Sequence, residues 1–179
     1  MLVIRDLIHP YIAMTQSVPL SVTISAGTCM WIKGDNGAGK STLLKLIAGV
    51  MPVETGSLSV SVPFSYLGAA LGIKMHATLK DYQRFAKVLG AECESPLPQN
   101  RELESFSSGQ KLWIRLQAAL RSDRPLWLLD EPTRFLDATH EALLWDKVKQ
   151  HCTSGGAVIV ASHSTVTSWI PDCQILTLT

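Results

Sequence analysis

The chain has 179 residues, of which 46% are hydrophobic, so it can bury the core of one domain and is too apolar to be disordered. Its formal net charge is +1 and it carries no clustered basic run, which argues against a nucleic-acid partner. No apolar stretch approaches the ~20 residues of a membrane-spanning helix, so we expect no direct membrane span.

The N-terminal third predicts strands that surround one helix. Alternating apolar residues indicate strands at 2–8, 20–25 and 29–33, with a turn at Ala26-Gly27 between the second and the third. A helix is predicted over 40–48, because Gly49 and Pro52 follow it. Beyond a turn at Thr55-Gly56, the segment 57–67 predicts a pair of short strands.

The middle and the end of the chain predict a helical insert followed by a return to strands and helices. Within 73–122, apolar residues such as Leu79, Phe85, Leu112 and Leu116 recur at helical spacing, and two prolines indicate a loop at 95–99. Buried strands are predicted at 126–129 and 157–161, a helix at 138–151 and an edge strand at 174–178. Unbroken apolar strands are typical of a parallel sheet that is covered on both faces, so we expect a single domain, 1–179, with an α/β core.

The cysteines predict neither a metal site nor a disulfide framework. Four are present, widely scattered and without any C-x-x-C pair: Cys29, Cys93, Cys152 and Cys173. We therefore expect buried or partly buried thiols in a reducing compartment.

A glycine-rich motif lies between a predicted strand and a predicted helix. Residues 34–41, Gly-Asp-Asn-Gly-Ala-Gly-Lys-Ser, match G-x-x-x-x-G-K-[ST] in full. Glycines allow backbone N–H groups to point at phosphate oxygens, and the helix N-terminus adds partial positive charge. Lys40 would reach the β- and γ-phosphates, and Ser41 would offer its hydroxyl to Mg²⁺. The sequence thus predicts an ATP and Mg²⁺ site formed by Gly34, Asp35, Asn36, Gly37, Ala38, Gly39, Lys40, Ser41 and Thr42.

Polar residues also follow two of the buried strands. Asp130 and Glu131 end the strand at 126–129, and His163 follows the strand at 157–161. Ligands of open α/β sheets bind at the carboxyl ends of strands, so all three should face the glycine-rich loop. Asp130 is predicted to hold Mg²⁺, Glu131 to orient or deprotonate the attacking water, and His163 to lie near the γ-phosphate. The alternatives are an ordinary acidic turn before Pro132 and a structural histidine.

Residues 107–110 predict the start of a helix. Ser107 and Gln110 fit the S-x-x-Q capping box, in which each side chain bonds the other residue's backbone N–H. A helix start with small residues and free N–H groups also suits a phosphate. Both interpretations can hold together.

The order of these motifs resembles that of the ATP-binding-cassette (ABC) family across nearly the whole chain. The family signature Leu-Ser-Gly-Gly-Gln stands here as Phe-Ser-Ser-Gly-Gln at 106–110, the D-loop as 135–137 with Asp137, and the switch histidine as His163. Tyr11 lies where the family often has an aromatic residue on adenine, although a surface tyrosine fits equally well. The resemblance implies a P-loop NTPase core with a mostly parallel sheet, an N-terminal antiparallel β subdomain and a helical insert at 73–122.

The resemblance also implies a head-to-tail homodimer that sandwiches two ATP molecules. The signature residues of one subunit would face the P-loop of the other: Ser107, Ser108, Gly109 and Gln110. A monomer should then hydrolyse ATP poorly. Two departures put the turnover rate in doubt: Ala70 stands where the family has a Mg²⁺-contacting glutamine, and Ser108 replaces a glycine.

Two segments resemble one subfamily more closely. They are Leu-Gly-Ile-Lys at 71–74 and Asp-Arg-Pro-Leu-Trp-Leu-Leu-Asp-Glu-Pro at 123–132, and they are similar to the ATP-binding subunit of the cytochrome c maturation haem exporter. This resemblance implies integral membrane subunits of that or another export complex as partners, with ATP hydrolysis that releases a haem-loaded chaperone. It also implies a peripheral position on the cytoplasmic face of the bacterial inner membrane or the matrix face of the mitochondrial inner membrane.

Three other functions remain as alternatives at this point. One is a soluble ABC ATPase without a transport role, and another is a cassette that binds ATP as a switch with weak turnover. The third is a P-loop kinase, which would need an acceptor site and would not need the signature or His163.

Overall fold

The computed structural model describes residues 1–13, 19–68, 76–88, 91, 93, 95–120, 123–163 and 165–178. Ala70, the segment 71–74 and the predicted beginning of the helical insert at residue 73 lie outside the described residues. Among the helices described, none combines the length and the apolar character required to cross a membrane.

A five-stranded parallel sheet forms the centre of the molecule. Its order is β5-β6-β7-β3-β8, and its strands are β3 Cys29–Lys33, β5 Phe64–Leu67, β6 Leu126–Asp130, β7 Ala157–Ala161 and β8 Gln174–Thr177. Every residue of β6 and β7 is buried, which explains their unbroken apolar sequence. The predicted parallel sheet and the edge position of β8 are both confirmed.

A separate antiparallel sheet has the order β2-β1-β4, with β1 Leu2–Ile8, β2 Leu20–Ile24 and β4 Thr55–Val60. The predicted pairing of two short strands within 57–67 is wrong, because β4 pairs with β1 and β5 pairs with β6. Pro63 lies between β4 and β5 and has no N–H to donate to a hairpin ladder. In β4, Leu58 and Val60 are half-buried and Ser59 between them is exposed, as suits a sheet with one solvated face.

The helices have the predicted order with small shifts at their ends: α1 Pro10–Ala13, α2 Lys40–Ile47, α3 Leu79–Val88, α4 Ser108–Leu120 and α5 Ala138–Thr153. The single turn α1 is not predicted, because four residues show no helical period, although Pro10 suits the first position of a helix. α3 and α4 lie between β5 and β6 in the chain, where the helical insert is expected.

The parallel sheet separates two apolar layers. Leu128 and Ile159 pack with Leu44 of α2 and with the antiparallel sheet on one face. Their neighbours Trp127 and Val158 face α4 and α5 on the other side. A third cluster lies inside the helical insert, with Leu79, Leu103, Phe106 and Ile114. Cys29, Cys93 and Cys173 are buried and Cys152 is half-buried, which agrees with the burial expected from the sequence.

Two adjacent leucines of α5 provide a matched test of this packing. Leu144 is 0% exposed between α5 and the sheet, whereas Leu143 is 46% exposed. We expect Leu144→Ala to lower the free energy of unfolding by about 2–5 kcal/mol, because it leaves a cavity in the core. Leu143→Ala should cost less than about 1 kcal/mol. Urea unfolding followed by tryptophan fluorescence measures both, and equal midpoints would contradict this packing.

Candidate functional site

Three neighbouring strands end at the same edge of the parallel sheet. β6 ends at Asp130, β7 is followed by His163, and β3 leads into the glycine-rich loop before α2. Because β7 lies between β6 and β3, the residues that follow these strands meet at one edge. This order of strands is what brings together residues that are about ninety to one hundred and thirty positions apart in sequence.

The glycine-rich loop is held by its own lysine. Lys40 is only 7% exposed, and its Nζ donates hydrogen bonds to the carbonyl oxygens of Gly34 at 2.7 Å and Asp35 at 2.8 Å. Gly39 caps α2 with a φ of 92°, in the left-handed region that favours glycine. A Cβ on Gly39 would lie 2.9 Å from Cγ1 of Ile12, so the loop also packs closely on α1. The loop is therefore curled around the ammonium group, with α2 beginning directly behind it.

Two oxygen donors meet below the loop. The hydroxyl of Ser41 donates a 2.9 Å hydrogen bond to Oδ1 of Asp130, which is itself buried. Neighbouring ligand oxygens around Mg²⁺, with bonds of about 2.1 Å in an octahedron, lie about 3 Å apart. The pair therefore fits two adjacent positions of a Mg²⁺ ion without a rearrangement of the backbone.

Glu131 and His163 lie beside Lys40. Nε2 of His163 is 3.4 Å from Oε1 of Glu131 and 3.4 Å from Nζ of Lys40. The N–H of Glu131 donates to the carbonyl oxygen of Ala161 at 2.8 Å, which extends the pairing of β6 with β7 by one residue. Glu131 has a φ of 49°, an uncommon conformation that is found most often where function requires it. Its Oε1 is buried, and apart from the 3.4 Å contact with His163 it accepts no hydrogen bond from the described residues, so it retains capacity to accept a hydrogen bond from a water molecule.

The residue before His163 is fixed by a side chain of the neighbouring strand β3. The indole Nε1 of Trp31 donates a 3.0 Å hydrogen bond to the carbonyl oxygen of Ser162. Ser162 is fully buried, so this bond satisfies a carbonyl that water does not reach. The backbone that carries His163 is thus held in place at the end of β7.

These groups open onto one cavity of about 730 Å³, within the range of about 300–1,000 Å³ that is typical of small-ligand sites. Eight of the twelve residues predicted from the glycine-rich loop and the strand ends line it, Asp130 being one of the four that do not, and Tyr11, 61% exposed, forms part of its wall. The full set of lining residues is Tyr11, Asn36, Gly37, Gly39, Lys40, Ser41, Thr42, Glu131, Thr133, Arg134 and His163. Gly34, Asp35 and Ala38 belong to the loop but not to this lining.

Sequence reasoning missed Thr133 and Arg134. Both follow β6 in a turn in which the N–H of Arg134 donates to the carbonyl oxygen of Glu131 at 3.3 Å. Their closeness to Glu131 in the sequence could have indicated them, because a turn after a strand folds the following residues back over the strand end.

The signature residues lie beside this cavity rather than in its wall. The predicted capping box is confirmed: Ser107 N donates to Oε1 of Gln110 at 3.0 Å, and Gln110 N donates to Oγ of Ser107 at 3.2 Å. Ser108 lines a neighbouring cavity of about 170 Å³ together with Asp130 and Glu131. Ser107, Gly109 and Gln110 line neither cavity.

Asp137 caps α5. Its carboxylate accepts a 2.8 Å hydrogen bond from the backbone N–H of His140 and lies 2.8 Å from Nδ1 of the same residue. The bonds from the backbone and then the side chain of His140 hold the pKa of Asp137 below its usual value. Asp137 lies outside the lining of both cavities, so within one chain the structure gives it a helix-capping role.

Comparison with known proteins gives consistent matches. The sequence profile of the family described as ABC transporter matches residues 18–134. The chain is 34% identical to the cytochrome c biogenesis ATP-binding export protein CcmA of Cereibacter sphaeroides, over 80% of this chain and 73% of that protein. It is 31% identical to the protein of the same name from Paracoccus denitrificans, over 99% of this chain and 89% of that one.

Solved structures agree with the fold. An ATP-binding subunit of an ABC transporter superposes with a TM-score of 0.83 at 22% identity, covering 99% of this chain and 85% of that chain. A dimeric ATP-binding cassette in a post-hydrolysis state, bound to ADP and Pi, superposes with a TM-score of 0.80 at 15% identity, covering 100% and 94%. The parallel sheet with its separate antiparallel sheet is therefore the fold of these cassettes.

The close packing at Gly39 gives a test of the loop. We expect Gly39→Ala to weaken ATP binding about tenfold or more, because left-handed backbone costs about 1–2 kcal/mol for other residues and the new Cβ meets Ile12. Gly49→Ala is the matched control: Gly49 has a φ of 67° with no atom within 4 Å of the added Cβ, and it lies outside the cavity. Titration with ATP compares them, and equal affinities would contradict the geometry of the loop.

Proposed function

This chain belongs to the ABC transporter family, and we propose that it is the ATP-hydrolysing subunit of a membrane export complex for cytochrome c biogenesis. The observation that carries the proposal is the identity of 31–34% to CcmA proteins over 80–99% of the chain. The convergence of Lys40, Glu131 and His163 at one cavity supports ATP hydrolysis as the activity. The process served would be haem export or the release of a haem-loaded chaperone.

We propose a role for each of the groups that hold the nucleotide. Successive N–H groups of the glycine-rich loop and the start of α2 would hold the phosphates. Lys40 needs only to exchange a carbonyl partner for a phosphate oxygen, because its ammonium already lies inside the loop. Ser41 and Asp130 would hold Mg²⁺, which when bound neutralises phosphate charge.

Glu131 and His163 account for hydrolysis. Glu131 has a buried carboxylate oxygen without a hydrogen bond among the described residues, at the end of a strand that faces the loop. In that position it would orient the attacking water and accept its proton. His163 would hold Glu131 and contact the terminal phosphate from the adjacent strand.

A second copy of the chain would complete the site. Ser107, Gly109 and Gln110 do not line the nucleotide cavity of their own chain, although the N-terminus of α4 is a favourable place for a phosphate. In a head-to-tail homodimer these residues would meet the nucleotide held by the other subunit, with Asp137 near the same interface. The post-hydrolysis cassette that shares this fold is a dimer.

The partners would be integral membrane subunits of the export complex. The relatives are named export proteins, and the chain would couple its ATP hydrolysis to such subunits from a peripheral position. That position would be the cytoplasmic face of a bacterial inner membrane or the matrix face of a mitochondrial inner membrane.

An ATP-binding switch with weak turnover is the second candidate. The sequence has Ala70 where the family has glutamine, and Ser108 adds a hydroxymethyl group to the small cavity next to Glu131. The two functions differ only in the rate of the chemical step, so turnover by the assembled complex separates them.

Substitution of the proposed base tests the chemistry. We expect Glu131→Gln to leave ATP affinity unchanged and to lower turnover at least about 100-fold, because an amide cannot accept the proton of the attacking water. Glu54→Gln is the control, since Glu54 is exposed and lies outside the cavity. ATP titration and phosphate release measure the two properties, and full turnover in Glu131→Gln would remove this residue from its role.

Purification from the native membrane tests the assignment to an export complex. We expect the chain to be recovered in mild detergent together with integral membrane subunits that handle haem. Lys40→Ala, which disables only the nucleotide site, should be recovered with the same subunits. Recovery of the wild-type chain in the soluble fraction alone would favour an ABC ATPase without a transport role.

A further inference from the structure

Arg134 places an exposed cation on the wall of the nucleotide cavity. Within the described lining of that cavity, Lys40 and Arg134 are the lysine and arginine residues. Lys40 is buried and bonded to two carbonyl oxygens of the loop, whereas Arg134 is exposed and forms no ion pair with a described carboxylate. A ligand in the cavity can therefore bind the guanidinium of Arg134 without displacing an ion pair with a described carboxylate.

The position of Arg134 is at the catalytic end of the cavity. It follows Glu131 by one turn, with its N–H donating to the Glu131 carbonyl oxygen, and it also lines the smaller cavity beside Asp130 and Ser108. Tyr11, which also lines the cavity, lies in α1, before the glycine-rich loop in the chain. Arg134 thus shares the lining of both cavities with Glu131, and a terminal phosphate attacked by a water on Glu131 would lie at this end of the nucleotide cavity.

An aromatic ring supports the guanidinium. Cζ of Arg134 lies 5.0 Å from the centre of the Phe135 ring, which is 62% exposed. A cation over an aromatic ring is attracted to the ring face, so this contact favours one place for the guanidinium. A guanidinium carries five N–H donors and can bind two phosphate oxygens at once.

The backbone beneath this stack is held by the signature glycine. Phe135 has a φ of 77°, which is uncommon for a bulky residue and is kept only where the surroundings enforce it. A Cβ on Gly109 would lie 2.5 Å from the Phe135 carbonyl oxygen, so the N-terminal turn of α4 packs directly on this residue. The N–H of Leu136 also donates to the Thr133 carbonyl oxygen at 3.0 Å.

We propose that Arg134, positioned by Phe135, binds the terminal phosphate and makes the site prefer ATP to ADP. The inference rests on the ATP site of the proposed function and adds a binding residue that no motif assigns. ADP lacks the phosphate that the guanidinium would reach, so the side chain contributes to the affinity for the triphosphate alone. Phe135 acts through Arg134, as a positioning residue.

The test measures two affinities for each variant of the full chain with Mg²⁺ present. The probes are ADP and a non-hydrolysable ATP analogue, and the variants are Arg134→Gln, Arg134→Lys and Phe135→Leu. Arg134→Gln should lower the affinity for the ATP analogue about tenfold, as expected for loss of a charge-assisted contact. It should change the affinity for ADP less than about twofold. Arg134→Lys should recover part of the loss, because an ammonium keeps the charge without the paired donors. Phe135→Leu should lie between the wild type and Arg134→Gln.

Two controls separate the possible failures. Arg124→Gln removes the same charge from an exposed residue outside the nucleotide cavity and should change neither affinity. Lys40→Ala should abolish binding of both nucleotides. The ATP site stands if the wild type binds both nucleotides and Lys40→Ala binds neither. In that case, the inference about Arg134 is overturned if Arg134→Gln binds the analogue as tightly as the wild type does, or if it weakens the binding of both nucleotides equally. If the wild type binds neither nucleotide, the proposed function fails together with this inference.

Discussion

The buried ammonium of Lys40 is the constraint on which the site depends. A charge taken out of water must be satisfied by close polar groups, and here the loop supplies two of its own carbonyl oxygens. The two hydrogen bonds from Lys40 hold the loop closed around the ammonium group. The closed loop also leaves room for glycine alone at Gly39, where α1 packs against it. The fold contributes by ending β6 and β7 next to this loop, so that His163 lies 3.4 Å from the ammonium of Lys40 and 3.4 Å from the carboxylate of Glu131.

Much of the core could be predicted from the sequence because its signals are local and strong. The runs Leu-Trp-Leu-Leu and Ala-Val-Ile-Val-Ala are apolar at consecutive positions, which only a strand covered on both faces tolerates, and both became central strands. The glycine-rich motif and the reciprocal bonds of Ser107 and Gln110 are likewise local patterns with one physical meaning. The family match supports the assignment to ABC ATPases, while the separate roles of Glu131, His163 and the signature stay predictions.

What the sequence could not supply depends on contacts between distant segments. The partners of β4 and β5 are set by which sheet offers a free edge, and neither strand carries that information in its own residues. The left-handed backbone of Phe135 is unfavourable for its residue type and arises from packing against Gly109. The place of Arg134 follows from that backbone, so a pattern of residue types along the chain does not show it. The short helix α1 is a further case, since its four residues show no helical period and the helix lies against α2, which is distant in the sequence.

Within one chain, the residues proposed for ATP hydrolysis lie in two separate places. The cavity collects the groups proposed to hold phosphate and direct water, whereas Ser107, Gly109 and Gln110 line neither cavity of their own chain. If a second chain brings these residues to the nucleotide, as proposed, hydrolysis would depend on an encounter between chains. Membrane partners would then be able to control that encounter without touching the nucleotide.

One atom of His163, Nε2, lies 3.4 Å from the carboxylate of Glu131 and 3.4 Å from the ammonium of Lys40, and this limits how the three groups can pair. In a neutral imidazole, Nε2 either carries a proton and faces a carboxylate or is bare and faces a cation, and it cannot do both. Glu131 and Lys40 therefore compete for one contact on the ring, at the place where the ends of β6 and β7 meet the glycine-rich loop.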